Sequence, residues 1–513
     1  MKKRIIVTTL ALATIWVIAQ NNPAPNSLST VFPSGALVYV EARDLSALLR
    51  DWNTSQEKKL WLASANNEVF SRTRLFMRLG EAQEQFAEAA GFAPDMSLVN
   101  SIAGGQSAIA IYDIGELEFL YVTRMPSARI LASTPFAQSK TYESRESAGT
   151  TYYVRAGANK RVAAFGTVDG LLFLATRGEL VANALALHAK SQTAHLAQDR
   201  WYTSIASAST TPGDVRIALN MPGLLKTPYF RSYWIQRNAS ELRPFSAGVI
   251  DLFREPNQIR EERAFIRETQ TTPPSEQPVA QVLAWAPVDA GLVKAWSAPN
   301  TTQILDVLRN HSDTTPSRSA PQAADPDALA GNASDLETRI DQAALESDET
   351  DAIAGLRPII DAAVVQAMLQ VQSSRPSGDG VFVRNDSAVA LLASSDWPTL
   401  TLPEVHVHRQ GRILVVSDSP TMLQRIVAQL GSPPSGAGAA YTARYLHGRE
   451  LAPFTRMMTQ IDAASPDNGE GPRFFSQNVA SLGDVLRRVE SASIVSHDDG
   501  RRVTQQMLYR LKQ

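Results

Sequence analysis

The sequence predicts an α+β protein with two tandem, duplicated halves, each a mainly antiparallel sheet covered by helices, after an N-terminal signal or anchor segment. Three observations predict this fold. The chain opens with a charged and then apolar segment, the order of elements after residue 30 recurs after residue 277, and many short strands are separated by turn residues. Hydrophobic residues make up 44% of the chain and charged residues 19%, which is typical of globular proteins.

The N-terminus has the three parts of a secretory signal. The positive region Met1-Lys2-Lys3-Arg4 precedes the uncharged run Ile5–Ala19. Val17 and Ala19 are small enough for the −3 and −1 positions of a cleavage site, which would leave Gln20 as the first mature residue. The alternative is an uncleaved anchor. The run covers only about 22 Å of a bilayer core about 30 Å thick, but snorkelling of the three N-terminal cations could make up part of the gap. Both interpretations predict export to the periplasm or to the outer face of the cytoplasmic membrane.

Composition excludes several classes of function. The chain has no cysteine among its 513 residues, so disulfides, thiolate metal sites, a cysteine nucleophile and a lipoprotein cysteine are ruled out. The absence also suits an oxidising compartment. The formal net charge of −2 gives no basic excess for phosphates, and we therefore expect no nucleic-acid partner.

A strand followed by a helix gives the clearest internal repeat. The strand after Gly170 leads into a helix over Glu179–His188, and the strand after Gly411 leads into a helix over Pro420–Leu430. Both helices carry apolar residues at i, i+3, i+4 and i+7. The two units are roughly 230–245 residues apart, a spacing that favours duplication of a whole domain.

The beginnings of the two halves also match. A strand over Ala36–Ala42 is followed by a helix that begins at Asp44. In the second half we expect a strand over Val282–Ala286 and then a helix that begins near Asp289.

Each half ends in a predicted hairpin. Val249–Arg254 turns through a Pro-Asn pair into Arg263–Arg267, and Ser493–Ser496 turns through an Asp-Gly pair into Val503–Tyr509. Neighbouring strands joined by short turns favour antiparallel sheet, and we expect the helices to cover one face. Further predicted pairs are 108–112 with 117–123, 152–155 with 161–165, and 381–383 with 388–392.

Composition places the domain boundaries. We assign residues 1–30 to the signal or anchor with its linker, 31–268 to the first half, 269–277 to a Pro-rich linker, and 278–513 to the second half. Residues 312–347 are rich in Ser, Asp, Ala and Pro, which predicts a mobile insertion or a loosely connected pair of surface helices.

The best metal-ligand pattern is a His-x-His strand. Alternation puts His406 and His408 on one face, and Glu404 has the same parity. Three such ligands could hold zinc, but the first half has no equivalent, and a solvated strand face gives the same pattern. The preferred assignment is therefore no metal and no cofactor.

Other patterns with possible chemistry are less specific. Ser55-x-x-Lys58 matches a serine nucleophile pair, but the partner motifs are missing and Ser55 also fits the start of a helix. Gly436 and Gly438 lie in a Gly/Pro/Ser linker rather than in a complete phosphate-binding loop. An aromatic group in the first half could line a ligand groove, touch a membrane or belong to the core, and its members are Trp201, Tyr202, Tyr229, Phe230, Tyr233 and Trp234.

The combined features resemble a bacterial family of exported proteins that share a domain of unknown function. The resemblance lies in Phe32-Pro33-Ser-Gly-Ala-Leu-Val-Tyr-Val40 after a signal or anchor, and in the glycine-strand-helix units at Gly170 and Gly411. It would cover most of residues 31–513 and implies no catalytic residue. The segment 312–347 departs from the first half and is not explained by the resemblance.

Three functions follow as expectations. The first is a non-enzymatic binding or assembly module of the envelope, with a protein partner or an apolar ligand on an extended surface or groove. The alternatives are a metal-dependent hydrolase that uses His406 and His408, and a carrier of lipids or other apolar ligands.

Overall fold

The fold is described from a computed structural model of the chain. The structure describes residues 27–65, 67, 71, 74–158, 161–209, 211–227, 242–297, 380–385, 388–393, 406–411, 413–417, 420–433, 438–464, 476–477, 480–481, 483 and 486–512. The predicted signal or anchor segment up to residue 26 and the predicted insertion over 312–347 lie outside the described residues. In the part that is described, no helix is both long enough and apolar enough to cross a bilayer.

The chain divides into two compact units. One comprises the described residues of Met1–Ser46 and Gln85–Asp199, and the other comprises those of Ala47–Glu84 and Arg200–Gln513. Both units are α+β with antiparallel sheet, which confirms the predicted α+β class. The duplication and the boundaries of the two tandem halves stay predictions.

The first unit has seven described strands in one antiparallel sheet. Their order across the sheet is β1-β2-β3-β7-β6-β5-β4. The two hairpins predicted in this region are therefore present as β2–β3 and β5–β6. The strands are β1 Val38–Ala42, β2 Ser107–Asp113, β3 Glu118–Arg124, β4 Glu143–Ser147, β5 Thr150–Ala156, β6 Val162–Val168 and β7 Leu171–Ala175.

Helices cover β6 and β7 on both faces, whereas the sequence analysis expected cover on one face only. Phe165 and its neighbours pack beneath one group of helices, and Gly166, on the opposite face, lies against Val181 and Leu185. This double cover explains why every residue of β7 is buried. The helices that end or lie in this unit are α3 Arg74–Ala90, α4 Met96–Ile102, α5 Ser127–Leu131, α6 Thr134–Ala137 and α7 Gly178–His188.

The second unit contains a longer antiparallel sheet. Its strand order is β8-β9-β10-β18-β17-β16-β11-β13-β12-β15-β14. The strands are β8 Val215–Asn220, β9 Phe245–Glu255, β10 Gln258–Arg267, β11 Leu292–Ser297, β12 Gly380–Asn385, β13 Ala388–Ala393, β14 His406–Gln410, β15 Ile413–Ser417, β16 Tyr441–Leu446, β17 Val489–Asp498 and β18 Arg502–Leu511. The predicted closing hairpins are present as β9–β10 and β17–β18, and they pair with each other through β10 and β18.

The turn between β17 and β18 is closed by a carboxylate. The backbone N–H groups of Arg502 and Arg501 donate to Asp499 Oδ1 at 2.6 and 2.9 Å, which holds the pKa of Asp499 below its ordinary value. The charged carboxylate is the bonded form, so its contribution to the turn is present above the ordinary pKa and is lost as the pH falls through the lowered one. Gly500 follows with φ of +84°, a conformation that glycine adopts without strain.

The helices of the second unit include one that the sequence analysis assigned wrongly. Residues 277–284 form helix α10, which overlaps the strand predicted over Val282–Ala286. Pro278 suits the first turn of a helix, and Val279 and Val282 share a fully buried face. The helix expected near Asp289 is likewise wrong, since strand β11 begins at Leu292. The remaining helices are α1 Leu45–Thr54, which begins just before this unit, α2 Gln56–Ala63, α8 Arg200–Ala208, α9 Met221–Lys226, α11 Pro420–Val427 and α12 His447–Ala464.

The core of the first unit depends on Phe165. Its ring is fully buried, and its centroid lies 4.9 to 5.2 Å from those of Tyr142, Phe136 and Tyr153. We expect Phe165→Ala to lower the free energy of unfolding by about 3–5 kcal/mol, because it removes these contacts and leaves a cavity. Urea unfolding should show a change within about 0.5 kcal/mol for Leu131→Ala, a control on an exposed side chain of the same unit. Equal effects of the two substitutions would contradict this packing.

Candidate functional site

A cavity of about 470 Å³ lies on the sheet of the second unit, over the closing hairpins and beside the end of α8. We call it the hairpin groove. Alternation along the strands places most of its lining on one sheet face. Cross-strand partners there include Glu262 with Gln506, and Ala264 with Thr504. The lining from the four strands is Val249, Glu262, Arg263, Ala264, Val495, His497, Thr504, Gln505 and Gln506, and the side wall is Ala208, Ser209 and Thr211.

The side wall is held by a buried ion pair. Asp251 on β9 is completely buried, and Arg216 on β8 donates to both of its carboxylate oxygens at 2.8 Å. Ser209 Oγ and the backbone N–H of Gly213 donate to the same carboxylate at 2.6 and 3.0 Å. Four donors therefore satisfy Asp251, and they tie the segment after α8 to the sheet.

Gly213 is required at this wall by a close backbone approach. A Cβ atom at this position would lie 2.4 Å from the carbonyl oxygen of Leu252 on β9, closer than any real side chain is found. The neighbouring N–H of Asp214 donates to the same carbonyl at 2.7 Å. The chain can reach the Asp251 carboxylate only because residue 213 has no side chain.

A histidine and a glutamate stand at one end of the groove. His497 Nδ1 lies 3.0 and 3.2 Å from the two carboxylate oxygens of Glu276, and the backbone N–H of Asp498 also donates to Glu276. This bond fixes the orientation of the imidazole and assigns its Nδ1 proton, which leaves Nε2 to accept a hydrogen bond in the neutral ring. Thr504 is the cross-strand partner of His497.

The charged side chains of the groove have partners beside them. Glu262 bonds to Arg260, whose guanidinium lies 3.9 Å above the ring of Phe253. Arg263 bonds to Glu261. The groove therefore offers a ligand mainly neutral hydroxyl and amide groups above an apolar floor, together with one oriented imidazole.

The structure describes the His-x-His pattern only in part. His406 and His408 lie on strand β14, and the side chain of His408 is half-buried with its Nε2 buried and without a hydrogen-bond partner. Glu404 and the side chain of His406 lie outside the described residues. Among the residues whose side chains are described, no group of three or more His, Asp or Glu could hold a metal ion.

Ser55 caps a helix. Its Oγ accepts the backbone N–H of Lys58 at 3.1 Å, and its own proton goes to the carbonyl of Trp52 at 2.8 Å. The ammonium group of Lys58 donates to Asn53 Oδ1 at 2.6 Å. Both members of the Ser-x-x-Lys pattern thus have local structural partners, as a helix start requires.

The other sequence candidates do not meet at the groove. Trp201 and Tyr202 pack edge to face at 5.6 Å within α8, and Tyr202 is buried. Tyr229, Phe230, Tyr233, Trp234 and Gly436 lie outside the described residues. None of the candidates that the structure describes lines the groove, because the lining residues carry no sequence motif.

Comparison with known proteins adds little. No protein-family model matches the sequence, and no curated protein matches it. Among solved structures, crystal form I of TP0453 is 14% identical, with a TM-score of 0.26, and the match covers 48% of this chain and 81% of that one. Crystal form III of the same protein is 11% identical, with a TM-score of 0.24, and the match covers 50% and 84%.

The ion pair beneath the groove wall should be essential for stability. We expect Asp251→Ala to lower the free energy of unfolding by about 3–5 kcal/mol, because Arg216 is left buried without its counter-charge. The double variant Arg216→Met with Asp251→Leu should recover much of this loss, since neither charge remains. Equilibrium urea unfolding of the three variants measures the effect. A loss in the double variant as large as in the single one would contradict this role.

Metal content tests the His-x-His pattern directly. We expect elemental analysis of the purified chain to find no stoichiometric zinc, with the same result for His408→Ala. One zinc ion per wild-type chain that disappears in His408→Ala would establish the metal site.

Proposed function

We propose that this protein is an exported, non-enzymatic binding module of the cell envelope, and that the hairpin groove takes a segment of a partner protein. One observation carries the proposal. The groove presents neutral hydrogen-bonding side chains above an apolar floor, on a sheet that is fixed by a satisfied buried ion pair. A rigid surface of this kind binds without the ordering cost that a loop would add.

The lining favours a peptide over an apolar ligand. Val249, Ala264 and Val495 provide apolar contact, and Thr504 and Gln506 stand between them with groups that match backbone N–H and C=O. A cavity for a lipid chain would instead be lined almost entirely by apolar side chains. The carrier of apolar ligands therefore remains the less favoured alternative.

The states of the charged groups support binding rather than catalysis. A general acid or base must reach the substrate, and its activation depends on its surroundings. In the groove Glu262 is engaged by Arg260, and below it Asp251 is engaged by Arg216 and Ser209. His497 is exposed, and its Nδ1 is engaged by the carboxylate of Glu276. The metal-dependent hydrolase is the other alternative, and it rests on His406 and His408.

Export and duplication are parts of the same proposal. The N-terminal charge and apolar pattern supports export to the periplasm or to the outer membrane face. Duplication is supported by two closing hairpins that occupy adjacent positions in one sheet, and by helices α7 and α11, which each follow a strand of a β-hairpin. A duplicated body would present the groove where the ends of its two halves meet.

Site-specific photo-crosslinking in cells tests the proposal. A photoreactive phenylalanine analogue at Gln506 should form one discrete adduct with an envelope protein, because this side chain lines the groove. The matched control is the same analogue at Ala428, an exposed position after α11 in the same unit. Mass spectrometry of the adduct identifies the partner, and Thr504→Trp should abolish the adduct by filling the groove.

Two results would contradict the proposal. One is an adduct pattern at Gln506 that equals the pattern at Ala428. The other is turnover of an envelope substrate by the purified chain that a single groove substitution abolishes while the fold, followed by circular dichroism, survives.

A further inference from the structure

Three arginines converge on one short turn in the second unit. Arg425 of α11 bonds to Asp289 Oδ1, and Arg449 in the first turn of α12 lies 3.6 Å from Asp289 Oδ2. Arg444 of β16 reaches the same turn, where it donates to the carbonyl of Pro287 at 3.0 Å. These contacts bring three guanidinium groups around a single carboxylate. We call the three arginines together with Asp289 the arginine cluster.

Backbone hydrogen bonds hold the turn that carries this carboxylate. The N–H of Ala290 donates to the carbonyl of Pro287 at 3.2 Å. The N–H of Leu446 donates to the carbonyl of Gly291 at 2.8 Å, which ties the end of the turn to β16. Arg444 belongs to that same strand. The sheet therefore positions both the turn and Arg444, and a ligand would not have to order them.

The positive charge of Arg444 is only partly compensated. Its side chain is half-buried, and its Nε is buried with no hydrogen-bond partner among the described residues. Burial lowers the pKa of Arg444 from its ordinary value, and the attraction of Asp289 offsets only part of this effect. A guanidinium stays protonated in a protein, so the cost of its burial persists until a further anion approaches.

Asp289 balances only part of the charge of the cluster. The hydrogen bond from Arg425 holds the pKa of Asp289 below its ordinary value, so the carboxylate is charged at neutral pH. Its one negative charge is already exceeded by Arg425 and Arg444 together. The side chains of Arg425 and Arg449 are 42% and 40% exposed, and each guanidinium has about five N–H donors. Donors on the exposed side can therefore reach a ligand.

A network that serves stability alone would not need this arrangement. Exposed ion pairs add little to the free energy of unfolding. One arginine forms such a pair at the surface of the first unit, where Arg145 bonds to Glu143 at 3.0 Å. Additional guanidiniums around one carboxylate repel each other, and this repulsion is relieved when an anion binds between them.

We propose that the arginine cluster binds the oxyanion group of a small ligand, a phosphate or a carboxylate. The planar fork of a guanidinium donates two parallel hydrogen bonds to either group, and these bonds are about twice as strong as neutral ones. Arg425 and Arg449 contact the ligand from the exposed side, and Arg444 attracts it from the half-buried side. None of these residues lines the hairpin groove, so the site does not depend on the partner proposed for the groove.

Calorimetric titration of the full chain tests the proposal, with inorganic phosphate and succinate as separate probes in a chloride buffer of low ionic strength. We expect one binding site for at least one of the two anions. Arg425→Gln should weaken this binding about tenfold, because it removes a charge-assisted hydrogen bond. Arg145→Gln is the matched control and should leave the binding unchanged, since Arg145 is an exposed arginine of the other unit.

Asp289→Asn should act in the opposite direction, which a general loss of structure would not do. The amide keeps the shape of the carboxylate and removes the negative charge that competes with the ligand. We expect the anion to bind about fourfold more tightly, from the repulsion between unit charges about 5 Å apart in water. Midpoints of urea unfolding close to that of the wild type show that each variant keeps its fold.

The tighter of the two probes identifies the oxyanion group as a phosphate or a carboxylate, and either result supports the site. Three results would overturn the proposal. They are no measurable binding of either probe by the wild type, equal weakening by Arg425→Gln and Arg145→Gln, or binding to folded Asp289→Asn that is weaker than to the wild type.

Discussion

The pairing of β10 with β18 is the constraint on which the second unit depends. It runs in register from Gln258 opposite Arg510 to Ile266 opposite Arg502, and the ion pair of Arg267 with Asp498 closes one end at 2.5 and 2.7 Å. A slip of one residue would turn every side chain of β18 to the other face. The register therefore decides that Thr504 and Gln506, rather than Val503 and Met507, share a face with Glu262 and Ala264. Without this ladder the two closing hairpins would be separate sheet edges, and the floor of the groove would not exist.

The buried carboxylate of Asp251 holds the side wall of the groove against the sheet. A carboxylate without solvent is costly unless donors surround it, and here the donors come from three places in the chain: a strand, the end of a helix and a loop glycine. Each hydrogen bond fixes the position of the element that carries the donor. The bonds to this one carboxylate therefore position the whole side wall. The same logic operates at the other end, where Glu276 receives His497 and the backbone of Asp498. The groove is thus bounded by hydrogen bonds, while its floor of Val249, Ala264 and Val495 is apolar.

Local patterns predicted much of the fold and little of the site. The closing hairpins could be predicted because their turns carry their own chemistry, Pro-Asn in one and Asp-Gly in the other. Helix α10 was missed because the apolar run 282–286 also fits a strand, and the burial of Val279 and Val282 on one face decides for the helix. The groove could not be predicted, because its lining residues lie far apart in the sequence. Glu262 and Gln506, for example, become neighbours only through the pairing of β10 with β18. Ser55 and Lys58 show the opposite case. Their spacing matches a catalytic motif, but in the structure they form the start of a helix.

The proposed ligand of the hairpin groove is a segment of a protein in the envelope. Native mass spectrometry of the chain, extracted gently from its own envelope without refolding, tests it most directly when the wild type is compared with Gln506→Trp. We predict an additional mass of protein size on the wild type and its loss from the variant, with equal unfolding stability of the two chains. A bare wild-type mass, or an additional mass that Gln506→Trp retains, would contradict the account.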